Sequence, residues 1–164
     1  MDLRHFTGTP LERVRDTPNP VNDEELLRSF AKPRGLWVSV KGPDDWPTWC
    51  RESDLGDWVD GKLEYRVELA KGANVLEIPT PEDLDAFVGF YGASFRWGAG
   101  DRWEDHYINW AKVARAYDGI IIAPYHWSRR LGDRTRFYYS WDCASGCIWR
   151  ARAVASVELL RGGK

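Results

Sequence analysis

Residues 62–69, with the sequence KLEYRVEL, alternate strictly between polar and apolar side chains. The apolar members of this stretch are Leu63, Tyr65, Val67 and Leu69. A period of two places all four on one face of an extended chain, which predicts a β-strand with one buried face. This is the clearest secondary-structure signal in the sequence, so the fold must contain a sheet that accepts a half-buried strand.

Shorter apolar runs predict the other strands of the sheet. Strands are expected at residues 2–7, 35–40, 74–78 and 120–123. The last third of the chain, residues 136–159, is expected to form two or three strands joined by a turn at residues 142–146. These predictions make β-structure the main component of the fold.

Helices are predicted between these strands. Asn22, with Glu25 three positions later, is typical of a helix start, and that helix should end near residue 32. A short helix is expected within residues 43–54, and Thr80 followed by Pro81 should begin a helix over 81–90. The glycine-rich stretch 92–101 is interpreted as a loop. The longest helix should then run from Asp101 to about residue 117, with Trp103, Tyr107 and Trp110 on its buried stripe.

Strands and helices are interleaved without a repeating strand–helix–strand rhythm, which favours an α+β fold with a mainly antiparallel sheet. The 164 residues are expected to form a single domain over 1–164. No apolar run approaches the ~18 residues that a membrane span needs, and the N-terminus lacks the pattern of a signal peptide. The expected partners therefore include no membrane, and the expected compartment is the cytoplasm.

The composition and the absence of standard motifs argue against several classes of binding and catalysis. The formal net charge of −2 provides no general attraction to nucleic acid. Three cysteines in unsuitable spacings are expected to be reduced, and three histidines in dissimilar contexts predict no metal site. The standard phosphate-loop, dinucleotide, zinc-protease and serine-hydrolase motifs are absent. The unusual feature is ten tryptophans, which fill a core or line a cleft that stacks flat rings.

Two short segments carry the most specific pattern. His5, Phe6 and Thr7 lie on the predicted first strand, and Gly35, Leu36, Trp37, Val38 and Ser39 follow on the next one. His5 and Trp37 are 32 positions apart. This arrangement resembles the start of the ADP-ribosyltransferase fold in its histidine-tyrosine-glutamate branch, which includes the poly(ADP-ribose) polymerases. The resemblance implies a split, mainly antiparallel sheet with flanking helices.

The same resemblance implies roles for these residues toward NAD. His5 would hold the nicotinamide-side ribose, while Thr7 and the backbone of Phe6 would hold the carboxamide. Trp37 would stack on the nicotinamide ring in place of the family's tyrosine, and Gly35 and Ser39 would flank it on the same strand. The residue-level alternatives are a histidine satisfied by a backbone carbonyl for His5 and an ordinary core position for Trp37.

The family's third element is an acidic residue at the start of a late strand, which corresponds here to the segment WDCASGCIW at residues 141–149. Asp142 or Ser145 would take that place, and the sequence leaves the choice open. A carboxylate there would stabilise the oxocarbenium-like charge as the bond to nicotinamide breaks. In the related RES-domain toxins a serine occupies the equivalent place. Asp142 is also well explained as a turn former that bonds its own backbone.

The expected function is therefore NAD-dependent transfer of ADP-ribose to a macromolecular acceptor, protein or nucleic acid, or to water. NAD would be a substrate, and Arg129, Arg130 and Arg134 would meet the acceptor or a phosphate. Two alternatives stay open at this stage. One is a non-catalytic nucleotide or ADP-ribose binding module of the same fold, and the other is a tryptophan-rich protein interaction domain.

Overall fold

A computed structural model of the chain describes residues 1–17, 31–97 and 103–162. The helix predicted at residues 22–32 lies almost entirely outside the described residues. Nine strands occur within the described ranges, and they are β1 Leu3–Thr7, β2 Leu36–Val40, β3 Leu63–Leu69, β4 Val75–Ile78, β5 Gly92–Trp97, β6 Trp103–Ile108, β7 Gly119–Ile122, β8 Ser145–Ile148 and β9 Val154–Arg161. The four α-helices of the same ranges are α1 Trp46–Glu52, α2 Pro81–Tyr91, α3 Trp110–Ala116 and α4 Arg136–Tyr139.

Seven of the strands form one sheet in the order β4-β7-β8-β2-β1-β3-β9. Only the pair β4 and β7 is parallel, and the other five pairings of this sheet are antiparallel. Strands β5 and β6 form a separate antiparallel pair. The prediction of an α+β fold with a mainly antiparallel sheet is therefore confirmed. The order places β8, which is late in the sequence, directly beside β2.

Burial along the strands follows their position in the sheet. Every residue of β7 and β8 is buried, as expected for central strands covered on both faces. Strand β3 lies nearer the edge, and there Tyr65 and Val67 are buried while Glu68 is exposed. The alternation in residues 62–69 therefore reports a real half-buried strand.

Helix α2 begins as predicted. Thr80 precedes it in an extended conformation, and its side-chain oxygen accepts a hydrogen bond from the Asp83 amide at 3.1 Å. Pro81 occupies the first turn, where its missing N–H costs nothing. The buried side of this helix, with Leu84 and Phe87, packs with Trp110 of α3 in the larger core cluster against one face of the sheet. No helix among the described residues has the length and apolar composition needed to cross a membrane.

The predicted loop is wrong over residues 92–97, and the predicted long helix is wrong over residues 103–108; residues 98–102 of these two predictions lie outside the described residues. Residues 92–97 and 103–108 pair as the antiparallel strands β5 and β6, with Gly92 opposite Ile108. Helix α3 begins only at Trp110, because the Asn109 side chain accepts a hydrogen bond from the Lys112 amide at 2.9 Å and caps it. Aromatic residues are favourable in strands, even where their spacing also fits one face of a helix. Pairing with the neighbouring strand favours the strand here.

The first strand predicted in the last third of the chain is also wrong. Residues 136–139 form the short helix α4, whose Phe137 and Tyr138 are fully buried. Their burial within the aromatic core stabilises a helical turn despite the high strand preference of this sequence. Strands β8 and β9 in the same region are confirmed.

Candidate functional site

A cleft with a volume of about 310 Å³ opens where β1, β2 and the start of β8 lie side by side. Its walls come from both ends of the sequence. The residues that line it are Arg4, His5, Phe6, Lys32, Trp37, Val38, Ser39, Trp46, Trp141, Cys143 and Ser145. Four of the residues with predicted roles toward NAD (His5, Phe6, Trp37 and Ser39) and the candidate Ser145 therefore meet in one cavity.

His5 is half-buried, and its ring is held by the neighbouring strand. Its Nδ1 lies 2.8 Å from the main-chain carbonyl oxygen of Trp37. A carbonyl oxygen only accepts hydrogen bonds, so Nδ1 carries the proton and Nε2 of the neutral ring is left as an acceptor. Burial lowers the pKa of His5 below its ordinary value, and the hydrogen bond to Trp37 opposes this shift. The ring is thus fixed as a neutral acceptor beside the cleft.

Trp37 is half-buried and held from two sides. Its indole N–H donates to the carbonyl of Pro33 at 3.2 Å, and its ring meets Trp141 edge-on with centroids 5.0 Å apart. The Lys32 ammonium lies 5.3 Å from the ring centroid. The indole is therefore held in one orientation in the wall of the cleft, with the Lys32 ammonium over its ring.

Two buried serines face each other across the β2–β8 pair. Ser39 and Ser145 are directly paired in register, and both line the cleft. The Ser39 hydroxyl accepts a hydrogen bond from the Trp46 amide at 2.9 Å, which anchors the start of α1. The Ser145 hydroxyl donates to the carbonyl of Cys143 at 3.0 Å. Both hydroxyls are thus engaged in holding the walls of the cleft.

Asp142 is not among the residues that line the cleft, but it forms an ion pair with Lys32, which does line it. Its carboxylate lies 3.6 Å from the Lys32 ammonium. Burial raises the pKa of Asp142, and the charges of Lys32 and Arg130 oppose that rise. The residue adopts a left-handed backbone conformation with φ of 66°. Asp142 therefore lies in the turn before β8, as its sequence context predicted, and its carboxylate is paired with Lys32, which lines the cleft.

Trp141 contributes a buried donor next to the cleft. The residue is only 2% exposed, and its indole N–H has no hydrogen-bond partner within the described part of the chain. The Tyr125 hydroxyl and the Arg130 Nε share this property. Buried polar groups in native proteins are nearly always paired with another protein group, an ordered water or a ligand.

The remaining sequence-predicted residues lie elsewhere. The Thr7 hydroxyl is bonded within its own turn, to the carbonyl and amide of Thr9, and Thr7 does not line the cleft as described. Gly35 also lies outside the lining. A Cβ atom at Gly35 would come 2.4 Å from the carbonyl oxygen of Ile148, so this glycine permits the close approach of β2 to β8.

The three arginines predicted to meet an acceptor or phosphate do not line the cleft in the described structure. Arg129 is paired with Asp85, with Nη2 to Oδ2 at 2.8 Å. The Arg130 guanidinium lies over the rings of Trp127 and Tyr139. Arg134 is an exposed residue of a short 3₁₀ turn. Of the three, Arg130 comes nearest to the site, since its charge acts on Asp142.

All three cysteines, Cys50, Cys143 and Cys147, are free and buried. Burial raises the pKa of the Cys50 thiol to about 11 and that of Cys143 to about 12. A thiol with so high a pKa is a poor nucleophile at neutral pH. Within the described residues, no group of three or more histidine, cysteine, aspartate or glutamate side chains is arranged to hold a metal ion.

Six lining residues were not predicted from the sequence, and they are Arg4, Lys32, Val38, Trp46, Trp141 and Cys143. The signal for Trp141 and Cys143 was available, because both flank Asp142 in the segment that was singled out. Lys32 and Trp46 reach the cleft from the chain segments on either side of β2, and no periodic pattern marks them.

Comparison of the chain with protein-family models, with curated proteins and with solved structures finds no match.

Proposed function

We propose that the protein is a NAD-dependent ADP-ribosyltransferase, with an ADP-ribosyltransferase-like fold. The observation that carries this proposal is the convergence of His5, Trp37 and the start of β8 on one cleft. These three chain segments are far apart in the sequence, and they are the ones that the family resemblance implies should meet. The shared cavity of His5, Trp37 and Ser145 supports the proposal.

The geometry supports a distinct role for each residue. The Trp37 indole offers a rigid face for the nicotinamide ring, and the unprotonated Nε2 of His5 accepts a hydrogen bond from a ribose hydroxyl. The Trp141 N–H is available to an acceptor group of the ligand. Asp142 lies outside the lining and is paired with Lys32 at 3.6 Å. In this proposal it is the nearby carboxylate whose negative charge favours an oxocarbenium-like transition state.

The proposed reaction breaks the bond between C1′ of the ribose and the ring nitrogen of nicotinamide. The bonding electron pair leaves with the ring, which converts the nicotinamide cation to neutral nicotinamide and leaves positive charge on the ribose. An oxygen or nitrogen nucleophile of the acceptor then donates an electron pair to C1′ and loses its proton. Water in place of the acceptor yields free ADP-ribose.

The test is nicotinamide release from NAD by the purified protein. We expect release by the unaltered protein and a decrease of about tenfold or more in His5→Gln, because a preorganised polar contact at the reacting ribose is removed. His106→Gln, on β6, is the matched control and should release nicotinamide at the unaltered rate. Equal release by the His5→Gln variant would refute the proposed role of His5.

A second function is favoured by one observation. The Ser145 hydroxyl is already bonded to the Cys143 carbonyl, and Asp142 lies outside the lining of the cleft. A cleft without a carboxylate at the reacting ribose would bind a nucleotide and not turn it over. NAD binding without nicotinamide release would identify the protein as such a binding module.

A further inference from the structure

Three tryptophans form a compact aromatic group on and beside α1. Trp46 and Trp49 stack with ring centroids 5.1 Å apart and planes 16° apart. Trp46 also meets the ring of Trp58 at 5.9 Å. We call these three rings the indole group. Trp46 lines the cleft as well, so the group extends from the cleft to the protein surface.

The outer ring of this group is open to solvent. Trp58 is 54% exposed, whereas Trp110, Trp141 and Trp149 are buried in the core. Trp46 and Trp49 are partly exposed beside Trp58, and contiguous exposed apolar surface is typical of interaction sites. The indole group therefore presents aromatic surface to solvent next to the cleft.

The charges around the indole group select the kind of partner. Residues 41–60, which contain α1 and Trp58, carry six acidic side chains and only two basic ones. One of the two basic side chains, Arg51, is paired with Asp60 at 3.5 Å. Asp57, next to Trp58, is exposed. This excess of acidic side chains on the segment that carries Trp58 favours a cationic partner over a polyanion such as nucleic acid.

The chain itself contains an example of the expected contact. The Arg130 guanidinium carbon lies 5.7 Å from the centroid of the Trp127 ring and 5.1 Å from that of Tyr139. The Trp127 N–H donates to the carboxylate of Asp44 at 3.0 Å, at the entrance to α1. An indole, a carboxylate and a stacked guanidinium are thus already combined beside the cleft.

We propose that the indole group is the docking site for a basic polypeptide segment, in which arginine or lysine side chains stack on Trp58 while Asp57 and its acidic neighbours neutralise their charge. The docking site is inferred from the arrangement of the rings and charges described above. Its use in catalysis rests on the proposed function, and it makes the acceptor of ADP-ribose a protein with a basic segment, rather than a nucleic acid.

The test is fluorescence anisotropy with two labelled probes, a short peptide of alternating arginine and glycine and a single-stranded oligonucleotide of equal length. We expect the peptide to bind more tightly than the oligonucleotide at low ionic strength, and its binding to weaken as salt screens the charges. Tighter binding of the oligonucleotide would overturn the proposal.

Variants locate the binding surface. Trp58→Ala should weaken peptide binding roughly three- to thirtyfold, the range expected for a cation–π contact. Asp57→Asn, which keeps the shape and removes the charge, should weaken binding at low salt and have little effect at high salt. Phe90→Ala is the control, because Phe90 is 64% exposed but belongs to α2. Unchanged peptide binding in Trp58→Ala would overturn the assignment.

A variant of the cleft separates the two proposals. His5 is not part of the indole group, so His5→Gln should bind the peptide as tightly as the unaltered protein while it loses nicotinamide release. Peptide binding without any nicotinamide release would leave the docking site intact and refute the enzymatic function. Nicotinamide release with no preference for the peptide would support the enzymatic function and refute the docking site.

Discussion

The imidazole Nδ1 of His5 donates a hydrogen bond to the main-chain carbonyl of Trp37 across 2.8 Å. This bond joins two residues on adjacent strands and determines which ring nitrogen of His5 is free. It ties the orientation of His5 to the backbone that carries Trp37. Any change that moves β1 relative to β2 therefore alters both proposed contacts to NAD together.

The buried, neutral His5 should make stability depend on pH. Burial lowers the pKa of His5 in the folded protein, whereas the unfolded chain has a pKa near 6.5. The stabilisation is fully present above about pH 6.5 and is lost as the pH falls through and below that value, because the unfolded chain then binds the proton more readily. Urea unfolding at pH 7.5 and pH 5 should show a smaller loss of stability in His5→Gln. An equal loss in both proteins would contradict a lowered pKa.

Trp37 should matter through its aromatic face. Trp37→Phe keeps a ring and should retain most of the affinity for NAD. Trp37→Leu keeps an apolar side chain but removes the face, and should weaken binding about tenfold or more, given the 1–3 kcal/mol that base stacking on aromatic side chains contributes. Calorimetric titration with NAD measures both variants. Equal affinities in the two variants would show that the ring is only part of the core.

Asp142 should have separable structural and chemical roles. Asparagine tolerates the left-handed backbone at this position and alanine does so poorly, so Asp142→Ala should be less stable than Asp142→Asn by about 1 kcal/mol or more. If the carboxylate acts in catalysis, both variants should lose nicotinamide release to a similar extent. Urea unfolding and the release assay give the two readouts. Full activity in the asparagine variant would remove Asp142 from the site.

Lys32 should hold down the pKa of Asp142. Burial raises that pKa and the Lys32 charge is the largest opposing influence, so Lys32→Met should raise it further. A titration of the Asp142 carboxyl by carbon-13 NMR measures the shift without any need for activity. An unchanged titration in the variant would mean that the two side chains do not interact in solution.

Gly35 should be required for packing and not for binding. Gly35→Ala places a methyl group 2.4 Å from the Ile148 carbonyl oxygen, and overpacking of this kind typically costs about 1–3 kcal/mol. Gly42→Ala is the matched control, since nothing lies within 4 Å of a Cβ there. Its free energy of unfolding should change by less than about 0.5 kcal/mol. Similar stabilities for the two variants would contradict the close contact.

The parts of the fold that the sequence predicted are those with a local cause. The alternation in residues 62–69 and the capping residues Thr80 and Pro81 act within a few positions, so they could be recognised without the structure. The pairing of residues 92–97 with 103–108 is a tertiary event, and the aromatic spacing there fits a helix as well as a strand. The cap at Asn109 was the overlooked local signal that the helix starts later.

Some residues of the candidate site could likewise be predicted from local sequence, and others depend on tertiary contacts. His5 and Trp37 were recognised because they belong to short segments with a family pattern, and those segments do meet in the cleft. Trp141 lies 104 positions after Trp37, and only the pairing of β8 with β2 brings the two rings to a centroid distance of 5.0 Å. Lys32 and Trp46 depend on how the chain enters and leaves β2, which no periodic pattern records.

The most direct measurement follows the ring nitrogens of the three histidines by nitrogen-15 NMR while NAD is added. At neutral pH, His5 should be the neutral tautomer with the proton on Nδ1. NAD should shift the Nε2 signal of His5 and leave the signals of His106 and His126 unchanged. A His5 signal that does not move when NAD is added would contradict binding in the cleft and, with it, the proposed function.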